Sequence, residues 1–218
     1  MKAVIFDLDG TLVDTAEDLG DSVSAALIEL GLPVHTTEEY ISYVGNGTLM
    51  LVKRSLPENL REDEGLLNKT HDLFCDHYSK HYLDKSRVYD GIPEVVKTLK
   101  DSGLRLYVLT NKPYQFASAI IDACFPAGTF DLVAGSGQGF PRKPDPSYEN
   151  YIAELSGASK SEIIHVGDSS TDIETAHNAG LRCIACTWGF RSRESLIEAG
   201  AEFIVQKPEE ILDIVLVN

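Results

Sequence analysis

Cysteine, tryptophan and long apolar runs are scarce in this sequence. The 218 residues include only four cysteines and one tryptophan, and no apolar stretch reaches the length of about 18 residues that a membrane-spanning helix needs. The N-terminus has one lysine and a short apolar run broken by Asp7, which is unlike a signal peptide. We therefore expect a cytoplasmic protein that does not associate with membranes.

Two of the cysteines, Cys183 and Cys186, have the spacing of a metal or redox motif. They lie in the segment LRCIACT, which predicts a strand, and residues three apart on a strand point to opposite faces. No second CxxC pair or nearby histidine completes a zinc site. We therefore predict that the cysteines are reduced and structural.

Positive charge is also scarce, because 19 lysines and arginines face 34 acidic residues and leave a formal net charge of −15. Such a surface repels phosphate backbones, so we expect no nucleic-acid partner. The same charge opposes the binding of a small anion. A site for an anionic substrate would therefore have to supply its own local positive field.

Short apolar strands alternate with helical stretches along most of the chain. This alternation predicts an α/β fold with a doubly wound parallel sheet and a Rossmann-like core. The predicted strands are Ala3–Phe6, Leu104–Leu109, Phe130–Ala134, Ile163–Val166 and Cys183–Cys186. The predicted helices between them are Pro93–Lys100, Tyr114–Ala123, Ser147–Leu155 and Thr171–Ala179.

Residues 14–86 break the alternation, because they are polar and helical in pattern without a convincing strand. Thr15 and Asp18 resemble a capping pair at the start of the first of these helices. A crossover between parallel strands needs only about a dozen residues. The excess predicts a helical domain at 14–86 inserted into a core of residues 1–13 and 87–218. The expected helices are Thr15–Leu30, Thr37–Val44, Thr48–Ser55 and Asn59–Tyr82.

Polar groups follow four of the predicted strands, at the end where ligands bind in open parallel sheets. The acidic members suit a hard cation such as Mg²⁺, which prefers oxygen ligands. Four carboxylates against one lysine have a formal charge of −3, so a phosphate dianion would hardly enter without a metal. The groups are Asp7 with Asp9, Thr110 with Asn111, Lys143, and Asp168 with Asp172.

Each of these groups has a use in phosphoryl transfer. A metal-oriented Asp7 could attack phosphorus, and Asp9 could protonate the leaving oxygen and then activate water. Thr110, Asn111 and Lys143 could hold the phosphoryl oxygens as charge develops. We therefore predict a site for a phosphorylated substrate at this edge of the sheet.

The segments DLDGTLVDT, LTNKP, RKPDP and GDSSTDIETAHNAG resemble the four motifs of the haloacid dehalogenase superfamily. The resemblance implies that Asp7 forms an aspartyl-phosphate and that Asp9 is the general acid and base. It also implies that Thr110 and Lys143 bind the phosphoryl group. The helical insertion resembles the cap that closes over the site in one subgroup.

The same resemblance implies a Mg²⁺ site. Its ligands would be Asp7, the main-chain carbonyl of Asp9, and Asp168, with Asp172 supporting the waters on the metal. Dehalogenases lack the second aspartate of the first motif. The presence of Asp9 therefore favours phosphate-ester chemistry.

Two later segments resemble phosphoglycolate phosphatases and their close relatives. CTWGFRSRESLIEAGAEFIVQKPEEIL is similar to their C-terminal region, and YVGNGT is similar to a segment of their cap. The turn Gly45-Asn46-Gly47 before a helix would offer main-chain N–H groups to a substrate carboxylate, although an ordinary loop explains it equally well. Lys53, Arg54 and Arg191 are candidate cations of the cap or rim, with exposed surface as the alternative.

The sequence thus predicts a Mg²⁺-dependent phosphatase for a small phosphorylated metabolite, with 2-phosphoglycolate as the leading candidate. It is compatible with a monomer or a homodimer. A phosphomutase of the same superfamily is the nearer alternative. A non-enzymatic phosphoacceptor domain is the more distant one, because an acid/base group such as Asp9 promotes hydrolysis.

His77 and His81 have the i, i+4 spacing of metal ligands, but no third ligand or general base accompanies them.

Overall fold

A computed structural model describes residues 1–216 of the chain. The chain forms two compact units, which we describe separately. The first contains residues 1–14 and those from 88 on, and the second contains residues 15–87. None of the helices within residues 1–216 is both long enough and apolar enough to span a bilayer.

The first unit is built on a parallel sheet of six strands. The predicted α/β fold with a doubly wound sheet is confirmed, because the strand order β5-β4-β1-β6-β7-β8 places β1 in the interior with later strands added on both sides. The strands are β1 (Ala3–Phe6), β4 (Arg105–Pro113), β5 (Leu132–Ser136), β6 (Ile163–Gly167), β7 (Arg182–Cys186) and β8 (Phe203–Val205). Two short strands, β2 (Val13–Asp14) and β3 (Arg87–Val88), form a separate pair.

Helices α5 to α10 belong to the same unit. Four of them stand where the sequence predicts them, within a few residues at each end. Their bounds are α5 (Ile92–Asp101), α6 (Tyr114–Cys124), α7 (Ser147–Ser156), α8 (Ser170–Ala179), α9 (Arg193–Glu198) and α10 (Glu210–Leu216).

Strand β1 is buried along its whole length, since β4 and β6 pair with it on either side. Its sequence AVIF is apolar throughout, as a strand of a parallel sheet covered on both faces requires. The carboxyl ends of β1, β4 and β6 therefore meet at the switch point of the sheet, where an open α/β fold binds its ligands.

The strand predictions differ from the structure at β4, β5 and β8, and the two-residue strands β2 and β3 are not predicted either. Strand β4 continues to Pro113 instead of ending at Leu109, and β5 begins at Leu132 instead of Phe130. Strand β8 was missed, because only Phe203–Val205 are apolar there and their neighbours Glu202 and Gln206 are polar. None of the four cysteines forms a disulfide.

The second unit contains four helices, α1 (Ala16–Glu29), α2 (Thr37–Tyr43), α3 (Thr48–Ser55) and α4 (Glu64–His81). The helix predicted at Asn59–Tyr82 is wrong at its start. A 3₁₀ turn at Glu58–Leu60 comes first, and α4 begins after Asp63, whose carboxylate accepts a hydrogen bond from Leu66 N at 2.9 Å. Phe74 and Tyr78 are fully buried on α4, with ring centroids 5.3 Å apart.

The predicted capping pair at the start of α1 is also wrong. The Thr15 side chain makes no capping hydrogen bond. Asp18 instead accepts hydrogen bonds from the main-chain N–H groups of Lys85 and Ser86, at 3.0 and 2.7 Å. Its carboxylate therefore joins α1 to the segment that ends this unit.

Candidate active site

A tight turn follows directly after the central strand β1. The carbonyl oxygen of Leu8 accepts hydrogen bonds from Leu12 N and Val13 N, each at 3.0 Å. Gly10 adopts a φ of 82°, which favours glycine. A Cβ at this position would lie 2.4 Å from Asp168 Oδ2. The sequence DLDGT therefore lets the chain turn sharply while passing against a second acidic residue.

The carboxylates of Asp7, Asp168 and Asp172 form a buried cluster. One oxygen from each lies within 4.8 Å of the others. Burial raises the pKa of Asp7 to about 6, against the lowering effect of Lys143. Burial, with repulsion from Asp172 and Asp7, raises the pKa of Asp168 well above its usual range. Two of the three carboxylates therefore resist ionisation by themselves, and an oxygen-only cluster of this kind fits a hard divalent cation such as Mg²⁺.

The loop after β7 holds Asp168 in this cluster. Phe190 N donates to Asp168 Oδ2 at 2.7 Å, and the Thr11 hydroxyl donates to Asp168 Oδ1 at 3.4 Å. A Cβ on Gly189 would lie 2.4 Å from Asp168 Cβ and 2.3 Å from the carbonyl oxygen of Gly10. Only glycine leaves room for this loop to lie against both the acidic cluster and the turn after β1.

Lys143 supplies positive charge to the cluster. Its Nζ lies 2.6 Å from Asp172 Oδ1 and 3.0 Å from Asp7 Oδ1, and its side chain is 3% exposed. Burial lowers the pKa of Lys143, but Asp172 and Asp7 outweigh that effect, so the net shift is upward and the ammonium stays charged. Burial acts against ionisation of Asp172, but Lys143 and His165 hold its pKa well below the usual range.

Thr110 and Asn111 lie in β4 next to Lys143, and both are buried. The Asn111 side-chain amide donates to Lys143 O at 3.1 Å and its carbonyl accepts from Lys143 N at 2.9 Å. Asn111 thus ties the loop that carries Lys143 to the end of β4. Its predicted contact with the phosphoryl group stays a prediction, as does that of Thr110.

Two groups were missed by the sequence analysis. Lys112 Nζ lies 2.9 Å from Asp9 Oδ1. The four aspartates and two lysines together have a formal charge of −2, instead of the −3 expected with one lysine. The sequence pattern that could have revealed Lys112 is its position two residues after Thr110, because residues two apart on a strand point to the same face.

His165 and Glu149 form the second missed group, a pair fully buried behind Asp172. The imidazole Nδ1 of His165 pairs with Glu149, and its Nε2 lies 3.4 Å from Asp172 Oδ1. Burial lowers the pKa of His165, but Glu149 and Asp172 together raise it to about 9. A histidine within the apolar strand IIHVG was the available signal.

Asp9 does not share the cluster of Asp7, Asp168 and Asp172 through its carboxylate. Within residues 1–216, that trio is the only group of three such side chains close enough to hold an ion. The resemblance assigns the main-chain carbonyl of Asp9 to the metal, and this contact stays a prediction. His77 and His81 stack at 4.3 Å without joining a group of this kind.

The turn Gly45-Asn46-Gly47 lies in the helical unit, where Gly47 precedes α3 with a φ of 84°. Arg54 fixes this turn, because its guanidinium donates to Asn46 Oδ1 at 2.7 Å and to Tyr43 O at 2.8 Å. A role of the turn in binding a substrate carboxylate stays a prediction. Lys53 pairs with the exposed carboxylate of Glu62 at 3.0 Å, as a surface residue does.

Arg191 lies in the loop that follows β7. Its guanidinium donates to Phe190 O at 3.4 Å. Its charge lowers the pKa of Asp168, but less than burial and the neighbouring carboxylates raise it. Arg191 is thus close enough to act on the acidic cluster electrostatically.

Comparison with known proteins identifies relatives over the whole chain. A family model described as haloacid dehalogenase-like hydrolase matches residues 4–186. The phosphoglycolate phosphatase of Vibrio parahaemolyticus is 33% identical over 223 residues, covering 100% of this chain and 97% of its own. That of Pseudomonas syringae pv. syringae is 31% identical over 214 residues, covering 97% of this chain and 78% of its own.

Solved structures share the architecture. The crystal structure of a protein from Lactobacillus delbrueckii subsp. bulgaricus matches with a TM-score of 0.91 and 30% sequence identity. The match covers 98% of this chain and 98% of that one. The likeness therefore extends over both compact units.

Proposed function

The chain belongs to the haloacid dehalogenase-like hydrolases and acts on phosphoric monoesters, and we propose that it is a Mg²⁺-dependent phosphatase for 2-phosphoglycolate. The position of Asp7 is the observation that best supports this reaction. This buried carboxylate lies 3.0 Å from the Lys143 ammonium, within an acidic cluster at the carboxyl end of the central strand. The names of the curated relatives support the choice of substrate.

The metal would be held by Asp7, Asp168 and the main-chain carbonyl of Asp9, with Asp172 behind them. When bound, Mg²⁺ supplies the charge that lets a carboxylate and a phosphate dianion approach each other. Lys143 adds a fixed positive charge at the same place. Mg²⁺ and the Lys143 ammonium together would provide the local positive field that a protein with a net charge of −15 otherwise lacks.

In the first half of the proposed reaction, a carboxylate oxygen of Asp7 attacks phosphorus while the bond to the leaving oxygen breaks. Asp9 gives its proton to that oxygen, so glycolate leaves as an alcohol and Asp7 carries the phosphoryl group. Thr110 and Lys143 hold the phosphoryl oxygens. Asn111 keeps the Lys143 loop in position.

In the second half, Asp9 has lost its proton and acts as a base. It takes a proton from a water molecule as the water oxygen attacks phosphorus. The bond between phosphorus and the Asp7 oxygen breaks, and inorganic phosphate leaves. The cycle ends with Asp7 ionised and Asp9 protonated, as it began.

Replacing Asp7 tests the nucleophile. We expect Asp7→Asn to lower phosphate release from 2-phosphoglycolate by at least about 10³-fold, because nothing else in the cluster can replace the attacking oxygen. EDTA should abolish the activity and Mg²⁺ should restore it. Asp101→Asn is the matched control, since Asp101 is an exposed partner of Lys97 on α5. A tenth of the wild-type rate in Asp7→Asn would exclude this role.

A screen of phosphate esters tests the substrate and the alternative activity. We expect the highest kcat/KM for 2-phosphoglycolate among pyrophosphate, nucleotides and sugar phosphates. An ester that is tenfold better would replace it as the substrate. Release of an isomerised sugar phosphate in place of inorganic phosphate would indicate a phosphomutase.

A further inference from the structure

Lys112 is a charged residue buried beside Asp9. Its side chain is 1% exposed, and its Nζ lies 2.9 Å from Asp9 Oδ1, on a side chain that is 14% exposed. Removing an ammonium group from water is unfavourable, and replacing a buried ion pair by apolar residues is often neutral or stabilising. Stability alone is therefore a poor reason for a lysine at this position.

The backbone gives Lys112 a fixed place. Strand β4 lies between β1 and β5, and its pairing with β5 is irregular between Leu109 and Pro113. Such irregularities re-aim side chains. Here they leave Thr110, Asn111 and Lys112, three consecutive polar residues, all buried. Lys112 N donates to the Thr110 hydroxyl at 3.2 Å, so the main chain of Lys112 is tied to the side chain of Thr110.

Of the two aspartates that follow β1, Lys112 contacts the one whose carboxylate lies outside the acidic cluster. Asp7, Asp168 and Asp172 share a cluster that the Asp9 carboxylate does not join. An ammonium group that donates to Oδ1 restricts rotation of the carboxyl group about its Cβ–Cγ bond. The direction in which Asp9 presents its second oxygen is thereby fixed.

We propose that Lys112 is a positioning residue for the general acid, holding the Asp9 carboxyl group in the orientation that transfers its proton to the leaving oxygen. This inference rests on the proposed function, in which Asp9 is the proton donor. Lys112 keeps all its protons throughout. The O–H bond of Asp9 breaks, the proton goes to the leaving oxygen, and the P–O bond to that oxygen breaks in the same step.

The leaving group offers a direct test, because an alkoxide must be protonated as it departs whereas p-nitrophenolate departs without a proton. The ratio kcat/KM contains only the steps up to loss of the alcohol. It is therefore unaffected by the later hydrolysis of the aspartyl-phosphate, which also uses Asp9. The test is the kcat/KM for p-nitrophenyl phosphate against that for the alkyl phosphate that the enzyme hydrolyses best.

We expect Lys112→Met to lower kcat/KM for the alkyl ester by on the order of 10²-fold, the scale of general acid catalysis, and that for the aryl ester by less than tenfold. Asp9→Asn should show the same selectivity. In the Asp9→Asn background, Lys112→Met should change either value by less than about threefold, since residues that act through one group are not additive.

Lys97→Met is the matched control, because Lys97 is an exposed lysine paired with Asp101, and it should leave both values unchanged. Equal losses on the two esters for Lys112→Met, or full additivity with Asp9→Asn, would overturn the inference. Those results would mean that Lys112 binds substrate or supports the fold. If Lys112→Met does not fold, Lys112→Arg replaces it: a lower ratio of alkyl to aryl kcat/KM supports the role, and an unchanged ratio overturns it.

The role of Asp9 as the acid and the role of Lys112 in positioning it can be tested separately. If Asp9 is not the acid, Asp9→Asn itself keeps the wild-type ratio of alkyl to aryl kcat/KM. If Asp9 is the acid and Lys112 does not position it, Asp9→Asn alone changes that ratio.

Discussion

Gly189 is one of the residues at which the packing around the acidic cluster leaves no space for a side chain. Its φ is outside the positive range, so alanine meets no backbone strain there. The obstacle is contact, since the added Cβ would lie 2.3 Å from the Gly10 carbonyl oxygen and 2.4 Å from Asp168 Cβ. Neither neighbour can move without shifting the turn after β1 or the aspartate itself.

We expect Gly189→Ala to weaken Mg²⁺ binding by about 10-fold or more, the usual effect of disturbing the residues that orient metal ligands. Isothermal titration calorimetry measures this without relying on activity. Gly65→Ala is the control, because its Cβ would meet only the flexible end of Asp63 at 3.3 Å. Equal affinity in Gly189→Ala and the wild type would show that the loop after β7 does not hold Asp168.

At the residue scale, the sequence was informative where chain order and topology act together. Asp7, Lys143 and Asp168 follow different elements, and the parallel sheet brings them to one edge. The hydrogen bonds between the Asn111 side chain and the Lys143 main chain could not be predicted. They depend on the irregular end of β4 and on the path of a loop 32 residues later, and neither leaves a local pattern in the sequence.

At the scale of elements, the link between α1 and the end of the helical unit depends on one buried carboxylate. Asp18 is 2% exposed. It accepts hydrogen bonds from two main-chain N–H groups and from the Ser86 hydroxyl, the last at 2.6 Å. The helical spacing of apolar residues predicted α1 within one residue at each end, but this contact spans 68 residues and has no signal in the local sequence.

We expect Asp18→Asn to destabilise the helical unit by roughly 1–3 kcal/mol, because an amide presents N–H groups where three donors now meet an acceptor. Hydrogen exchange at the Lys85 and Ser86 amides measures the local loss of protection. Asp21→Asn is the control, since Asp21 is 56% exposed in an ion pair with Lys85 and such pairs contribute little. Unchanged protection in Asp18→Asn would contradict the assignment.

At the scale of the whole molecule, the acidic cluster makes folding and metal binding interdependent. The folded chain holds three carboxylates together, which the unfolded chain does not. A cation that binds only the folded state stabilises it by mass action, by about 2.7 kcal/mol at a concentration of 100 times its Kd. The sequence predicted that these carboxylates and that of Asp9 gather at one edge of the sheet, and the Asp9 carboxylate lies outside the cluster. The upward pKa shifts of Asp7 and Asp168 arise from burial that only the fold supplies.

We therefore expect Mg²⁺ to raise Tm, and Asp168→Asn to remove most of that increase while Asp101→Asn retains it. Protons compete with the cation for Asp7, whose pKa is raised to about 6 by burial. The increase in Tm should consequently be larger at pH 8 than at pH 5. Differential scanning calorimetry with and without EDTA checks both points. An increase of the same size in Asp168→Asn would place the cation elsewhere.

Trp188 is the one tryptophan of the chain, and its indole N–H donates to the carbonyl oxygen of Thr11 at 3.1 Å. It precedes Gly189 and Phe190, which contact Asp168. The protein thus carries a single indole fluorophore, anchored to the turn that presents Asp7 and Asp9. Because indole emission responds to hydrogen bonding and polarity, its wavelength and intensity report on that turn directly. Ligand exchange at the cluster can be followed in stopped-flow experiments on the unlabelled wild-type chain.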